Sequence, residues 1–145
     1  MARRQIIIVT IVASAVLVAG SGVYLYRQIS QLINNAYAKW HVAALVIDHM
    51  KVNNDAWPTG WDDLRDDFDR RVTQSGQSWS FDTLRERVVI DWTVDPEKLA
   101  HVEVIDDQQP FNVIRARHGI DSSWEGAEPN RMILDYLRQR SPKEP

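Results

Sequence analysis

The chain has 145 residues and a formal net charge of −3 at pH 7, with 17 Lys and Arg against 20 Asp and Glu. This balance gives no electrostatic support for nucleic-acid binding, and the absence of cysteine excludes disulfides, thiolate metal sites and a cysteine nucleophile. The roughly 120 residues that follow the apolar opening suffice for one small domain.

An uncharged, mostly apolar run extends from residue 6 to residue 26. A hydrocarbon core of about 30 Å needs about 20 such residues in a helix, so the run predicts a transmembrane helix over 6–26. Two arginines precede the run and only Arg27 closely follows it, which predicts a cytoplasmic N-terminus (1–5) and an extracytoplasmic domain (27–140) anchored to the cell membrane by a single pass. A signal peptide cleaved near Ala19 is the alternative interpretation.

Apolar residues continue at helical spacing from Ile29 to Met50. At about 100° per residue they form one broad stripe, which predicts an amphipathic helix continuous with the apolar run. We expect Trp40, within this stripe, to be a core anchor. Nearer the apolar run, Leu32 and Ile33 are the predicted positions of contact with other copies of the chain.

The remainder of the chain reads as short elements separated by turns. Thr59 can cap a short helix, and alternating apolar and polar residues from Val88 to Arg117 predict three or four antiparallel strands. Pro129 suits the first turn of a C-terminal helix, and residues 141–145 are predicted to be a flexible tail.

These elements predict an α+β fold. In it, a long N-terminal transmembrane-plus-amphipathic helix packs on a small three- to four-stranded antiparallel sheet, with a short C-terminal helix.

Candidate chemical sites have simpler interpretations. A dense group of carboxylates is formed by Asp62, Asp63, Asp66, Asp67 and Asp69. Carboxylates bind calcium, but the ligand spacing and loop glycine of an EF-hand are missing, and interspersed arginines favour an ion-paired helix surface. His41 and His49 are two helical turns apart, about 12 Å, which is too far for both to bind one zinc ion.

A hydrolase arrangement is also considered for His101, His118, Asp121 and Ser122. No nucleophile elbow or glycine-rich oxyanion loop surrounds the serine. We therefore predict no catalytic, cofactor-binding or metal-ligating residue, and we predict that the chain is not an enzyme.

Trp57 and Trp61 lie in a turn-rich segment. Two large aromatic residues there form either a patch that docks a partner or a plug at the end of the core. The plug is the preferred interpretation, and partner contact is the alternative.

The hydrophobic N-terminal helix, its amphipathic continuation, the segment NNDAWPTGWDDL and the predicted sheet together resemble type IV pilins and type II secretion pseudopilins. In those families an aromatic-proline pair and a leucine often follow the long helix, as Trp57, Pro58 and Leu64 do here. The prepilin cleavage motif, with its glycine, phenylalanine and later glutamate, is absent before Val9.

The resemblance implies a membrane-anchored, non-catalytic structural or assembly subunit. Its partners would be membrane lipid and other membrane or pilin-like subunits, including copies of itself. The alternative is an accessory subunit of a larger membrane complex, whose outer domain is a protein-binding module. Crosslinks of the chain to itself would favour the first function, and crosslinks only to another protein would favour the second.

Overall fold

The structure, a computed structural model, describes residues 2–75, 79–104, 109–123 and 128–140, without the side chains of 2–13, 15, 74 and 75. The described chain is mostly helical. Its elements are α1 (Ala2–Val52), a 3-10 turn (Trp61–Leu64), α2 (Arg65–Ser75), α3 (Phe81–Arg87), β1 (Val88–Ile90), α4 (Pro96–Ala100), β2 (Ile114–Ala116) and α5 (Pro129–Arg140).

One continuous helix, α1, determines the shape of the molecule. Its 51 residues give a length of about 75 Å at about 1.5 Å per residue. Every residue from 16 to 29 is exposed, whereas burial begins at Asn35 and continues to Met50. We call residues 16–31 the projecting segment and residues 32–50 the packed segment.

The core forms where the shorter elements surround the packed segment. Helices α3 and α5 and strand β2 all pack directly against α1. The largest fully buried side chains include Leu45, Met50, Leu84, Ile114 and Ile133. Apolar side chains from every part of the domain therefore meet around one half of the long helix.

Trp40 does not have the role expected of it. It is half-buried and lies outside the core cluster, where its ring meets His41 edge-on at 5.0 Å. The buried face of α1 is carried instead by Val42, Leu45 and Val46. Trp40 lies about 160° around the helix from Val42, so it faces away from the middle of the core.

The prediction of three or four strands, and with it the α+β fold, is wrong. The described residues contain one two-stranded antiparallel sheet, in which Val88 lies opposite Ala116 and Ile90 lies opposite Ile114. Residues 102–104, predicted as part of a strand, are not in a strand. The described chain is a mostly helical domain with one short antiparallel ladder, whose two strands are separated in sequence by α4.

Side-chain capping explains why the alternating pattern after β1 does not continue as a strand. The Asp91 carboxylate accepts a hydrogen bond from the Thr93 backbone N–H at 2.9 Å, which turns the chain. The Asp95 carboxylate then accepts from the Glu97 N–H at 3.0 Å and caps α4, with Pro96 in the first turn. Local side-chain bonds of this kind compete with strand formation.

The predicted transmembrane helix over 6–26 is also wrong, because no helix in the described part of the chain combines the length and the hydropathy that a membrane crossing needs. The signal-anchor assignment and the single-pass location in the cell membrane are overturned by the same finding. The predicted tail, 141–145, lies outside the described residues.

The C-terminal end of α1 is fastened to α5. Asn54 and Asp55 adopt left-handed backbone conformations, with φ of 54° and 63°, and end the helix. The Asp55 carboxylate accepts hydrogen bonds from the Tyr136 hydroxyl at 2.5 Å and from Arg140 Nε at 3.3 Å. Partial burial, and then the Asp55 carboxylate, raise the pKa of Tyr136 to about 12.

This contact predicts a loss of stability at alkaline pH. The folded-state pKa of about 12 lies above the unfolded value of about 10, so the contribution of Tyr136 is complete below pH 10 and is lost as pH rises towards 12. We expect the free energy of unfolding, measured by urea denaturation, to decline less between pH 9 and pH 11 in Tyr136→Phe than in the wild type. Tyr26→Phe is the control, because Tyr26 is exposed. An unchanged decline in Tyr136→Phe would contradict the assignment.

Candidate assembly surfaces

The projecting segment carries large apolar side chains in solvent. Their exposed fractions run from 55% to 74%. The exposed residues are Val16, Leu17, Val18, Val23, Tyr24, Leu25, Tyr26 and Ile29. Because consecutive residues are about 100° apart, these side chains occupy all sides of the helix. A helix that is apolar all round is normally buried by other structure.

A shallow apolar depression lies over Gly20 on this segment. Its borders include Val16, Leu17, Tyr24 and Leu25. A Cβ atom built on Gly20 would meet nothing within 4 Å, so the absent side chain leaves space beside its larger neighbours. A side chain of a second helix fits such a hole in the manner of knobs-into-holes packing.

The two helix positions predicted to contact a partner, Leu32 and Ile33, are half-buried at the junction of the two segments. Ile33 lies seven residues from both Tyr26 and Trp40, so the three side chains follow one side of α1. That side is turned away from the core face around Val42. The packed segment therefore has two apolar sides, one in the core and one partly in solvent.

The two tryptophans predicted as a possible docking patch belong mainly to the domain interior. Trp57 is buried, and its indole N–H donates to the Asp91 carbonyl oxygen at 2.9 Å. Trp61 is half-buried and meets Phe81 and Trp92 edge-on, with ring centroids 5.7 Å apart in each pair. A role of these residues in partner contact stays a prediction.

A second surface is an open groove where the projecting segment enters the domain. It encloses about 840 Å³ and is lined by Gln31, Asn35, Asp82, Thr83, Arg85, Glu86, Arg87, Arg117 and His118. We call it the arginine groove. Three arginines against two acids give it a positive balance.

Two guanidinium groups of the groove are held in place by neutral partners. Arg87 donates to the Asn35 side-chain oxygen at 3.2 Å and lies over the Trp79 ring, 5.5 Å from its centroid. Arg117 donates to the carbonyl oxygens of Arg85 and Val88 at 3.2 Å. Within the described ranges, no carboxylate forms an ion pair with any of the three arginines of the groove.

Asn35 and Lys39 connect α1 to the loop after β2. The Asn35 amide donates to the His118 carbonyl oxygen at 2.8 Å. The Lys39 ammonium group, whose side chain is 3% exposed, pairs with Asp121 and donates to the Ser123 hydroxyl at 3.2 Å. A cation buried this deeply requires a charged partner, because removing it from water is costly.

Residues considered for chemistry have structural contacts in the described part of the chain. His101 Nδ1 lies 2.8 Å from the Glu97 carbonyl oxygen, and the Asp121 carboxylate pairs with Lys39. His49 Nδ1 lies 3.0 Å from the buried carboxylate of Asp67, and the nearest polar neighbour described for its other ring nitrogen is Asn53, at 3.4 Å. Burial and the charge of Arg71 lower the pKa of His41. In the portion of the chain that the structure describes, no three His, Asp or Glu side chains are grouped to hold a metal ion.

The sequence interpretation missed the arginine groove and the buried polar contacts of α1. The available signal was the pair Asn35 and Lys39, four residues apart in an apolar helix and thus on one face. The groove itself joins residues that are up to 87 positions apart, so no local pattern marks it. Comparison of the chain with known protein families, with curated proteins and with solved structures finds no match.

Proposed function

We propose that this protein is a non-catalytic assembly subunit, whose projecting segment packs with the projecting segments of other copies into a helical bundle. The observation that carries the proposal is the exposure of eight large apolar side chains on all sides of residues 16–29. The largest apolar patch on a typical monomer is about 300–600 Å² and often marks an interaction site.

The length of the projecting segment supports helix packing. Residues 16–31 cover about 24 Å at about 1.5 Å per residue, or more than four turns. The depression over Gly20 allows a second helix to approach closely. Because the apolar residues surround the helix, contact with a single neighbour would leave part of them in water, so a bundle of several helices buries them better.

The charge of this segment supports association between identical copies. Arg27 is the sole charged residue from 14 to 38. An apolar surface needs no oppositely charged counterpart, so one copy is chemically complementary to another. The long aliphatic part of Arg27 allows its guanidinium group to reach solvent at the edge of a bundle.

The buried polar groups support a structural rather than a catalytic role. The His49–Asp67 contact joins α1 to α2, Asn53 lies beside the same imidazole ring, and the described residues place no hydroxyl nucleophile against this histidine. Lys39 and Asp121 likewise join α1 to the loop after β2. These groups hold the domain in place around the long helix.

Disulfide crosslinking tests the proposal, because the wild-type chain contains no cysteine. We expect Leu25→Cys, in the projecting segment, and Ile33→Cys, at its junction with the packed segment, to form disulfide-linked homodimers under mild oxidation, since like helices meet side by side in the bundle. Lys51→Cys is the matched control, because its side chain is 57% exposed at the other end of the same helix. It should form at least about tenfold fewer homodimers, because it lies outside the proposed contact.

Two results would contradict this function. If Leu25→Cys and Ile33→Cys crosslink no more than Lys51→Cys, the segments do not meet. If both crosslink in cells only to a different protein, the chain is an accessory subunit, as in the alternative interpretation.

A further inference from the structure

We propose that the arginine groove of one copy binds an acidic face on a second copy, formed by Asp62, Asp66 and Asp69. This inference rests on the proposed assembly function and names a second contact between subunits. It gives the assembly a head-to-tail component in addition to the packing of like helices.

The acidic face has the complementary charge and a regular spacing. Asp62, Asp66 and Asp69 are all exposed, and their spacing of four and three residues places them on one side of the 3-10 turn and α2. No ion pair to these three carboxylates is found among the described residues. The nearby Arg65 guanidinium lies over the Phe81 ring, 4.4 Å from its centroid.

The groove is prepared to receive carboxylates. Arg87 and Arg117 are oriented by a side-chain amide oxygen and by backbone carbonyl oxygens, and neither forms an ion pair among the described residues. Planar guanidinium groups bind carboxylates through paired hydrogen bonds. A volume of about 840 Å³ accommodates several side chains of a helix at once.

The positions of the two surfaces favour contact between different copies. The groove meets α1 at Gln31 and Asn35, whereas α2 is attached at the far end through the His49–Asp67 contact of 3.0 Å. Asn35 and His49 are about 21 Å apart along the helix at about 1.5 Å per residue. A contact between two different patches is heterologous, and repetition of it produces a ring or an open chain of subunits.

A mixture of two single-cysteine variants tests this contact. Thr83 lines the groove, and Thr73 is exposed on α2, on the same side as Asp66 and Asp69, so neither substitution removes a charge of the proposed contact. We expect the mixture of Thr83→Cys and Thr73→Cys to form a mixed disulfide, identified by mass spectrometry of its joined peptides. The yield should fall at least about tenfold between 50 mM and 500 mM salt, because salt screens exposed charge pairs.

Charge reversal and restoration provide the second measurement. Arg85 is exposed, so adding Arg85→Glu to the groove variant should leave the fold intact and lower the mixed-disulfide yield about tenfold. Adding Asp66→Arg to the other variant should restore the yield. The inference would be overturned if the mixed-disulfide yield were unchanged by salt and by both substitutions, or if no mixed disulfide formed at 50 mM salt.

The two proposals fail in different ways. The homodimer disulfide of Leu25→Cys, measured in parallel, reports only on the projecting segment. If the homodimer disulfide forms while the mixed disulfide does not, the bundle is supported and the groove contact is wrong. If only the mixed disulfide forms, the subunits meet through their domains and the bundle is wrong.

Discussion

Replacement of Asn130 by alanine is expected to lower the free energy of unfolding by about 3–5 kcal/mol, one of the two largest effects that we predict. Asn130 is fully buried at the start of α5. Its side-chain oxygen accepts from the N–H groups of Val113 at 3.0 Å and Ile114 at 2.9 Å, and its amide donates to the Ile114 carbonyl oxygen at 3.1 Å. Alanine would leave all three backbone groups buried without these partners.

The size of this effect follows from the cost of an unsatisfied buried polar group, about 1–3 kcal/mol each. Asn112→Ala is the matched control, because Asn112 directly precedes Val113, which Asn130 binds, and is itself exposed. It should change stability by less than about 0.5 kcal/mol. Denaturant unfolding measures both variants. A loss below 1 kcal/mol for Asn130→Ala would show that the side chain does not hold β2 to α5.

Replacement of Asp121 by asparagine is expected to cost about 3 kcal/mol of stability. Asparagine keeps a hydrogen-bond acceptor but removes the charge that compensates the buried Lys39 ammonium group. Most of the cost then comes from a cation without a countercharge. Denaturant unfolding of Asp121→Asn and of the double variant Lys39→Met/Asp121→Asn separates this cost from the loss of the hydrogen bond.

The double variant should be more stable than Asp121→Asn by about 2 kcal/mol, because methionine fills the space without a buried charge. Asp95→Asn is the control for an exposed ion pair, since the Lys98 and Asp95 side chains are 85% and 46% exposed. Asparagine caps a helix as well as aspartate does, so this control should change stability by less than about 0.5 kcal/mol. A double variant no more stable than Asp121→Asn would show that the charge of Lys39 is not the cause.

The sequence pattern was sufficient to recognise the helical periodicity of residues 29–50, but not which side of the helix faces the core. Apolar residues lie on two sides of this segment. Trp40 and Val42 are both apolar, so the sequence does not indicate which of them is buried. Burial depends on where α3, α5 and β2 pack, and these elements are distant in sequence. This is why Trp40 was wrongly expected in the core.

The strand prediction failed for a local reason. Alternation from Val88 onwards is real in the sequence, but the carboxylates of Asp91 and Asp95 bind nearby backbone N–H groups and redirect the chain. Patterns of polarity do not include this competition between side chain and backbone. The arginine groove was missed because its residues come together only when α1, α3 and the end of β2 are assembled.

The half-packed state of α1 makes its helix–coil equilibrium depend on protein concentration. Residues 16–29 receive no burial from the domain and hold their conformation through backbone bonds alone, which is marginal in water for a segment of this length. Association stabilises a folded form by mass action. Backbone amides here should therefore exchange with deuterium quickly in dilute samples and slowly in concentrated ones, whereas those around Leu45 should be insensitive to dilution.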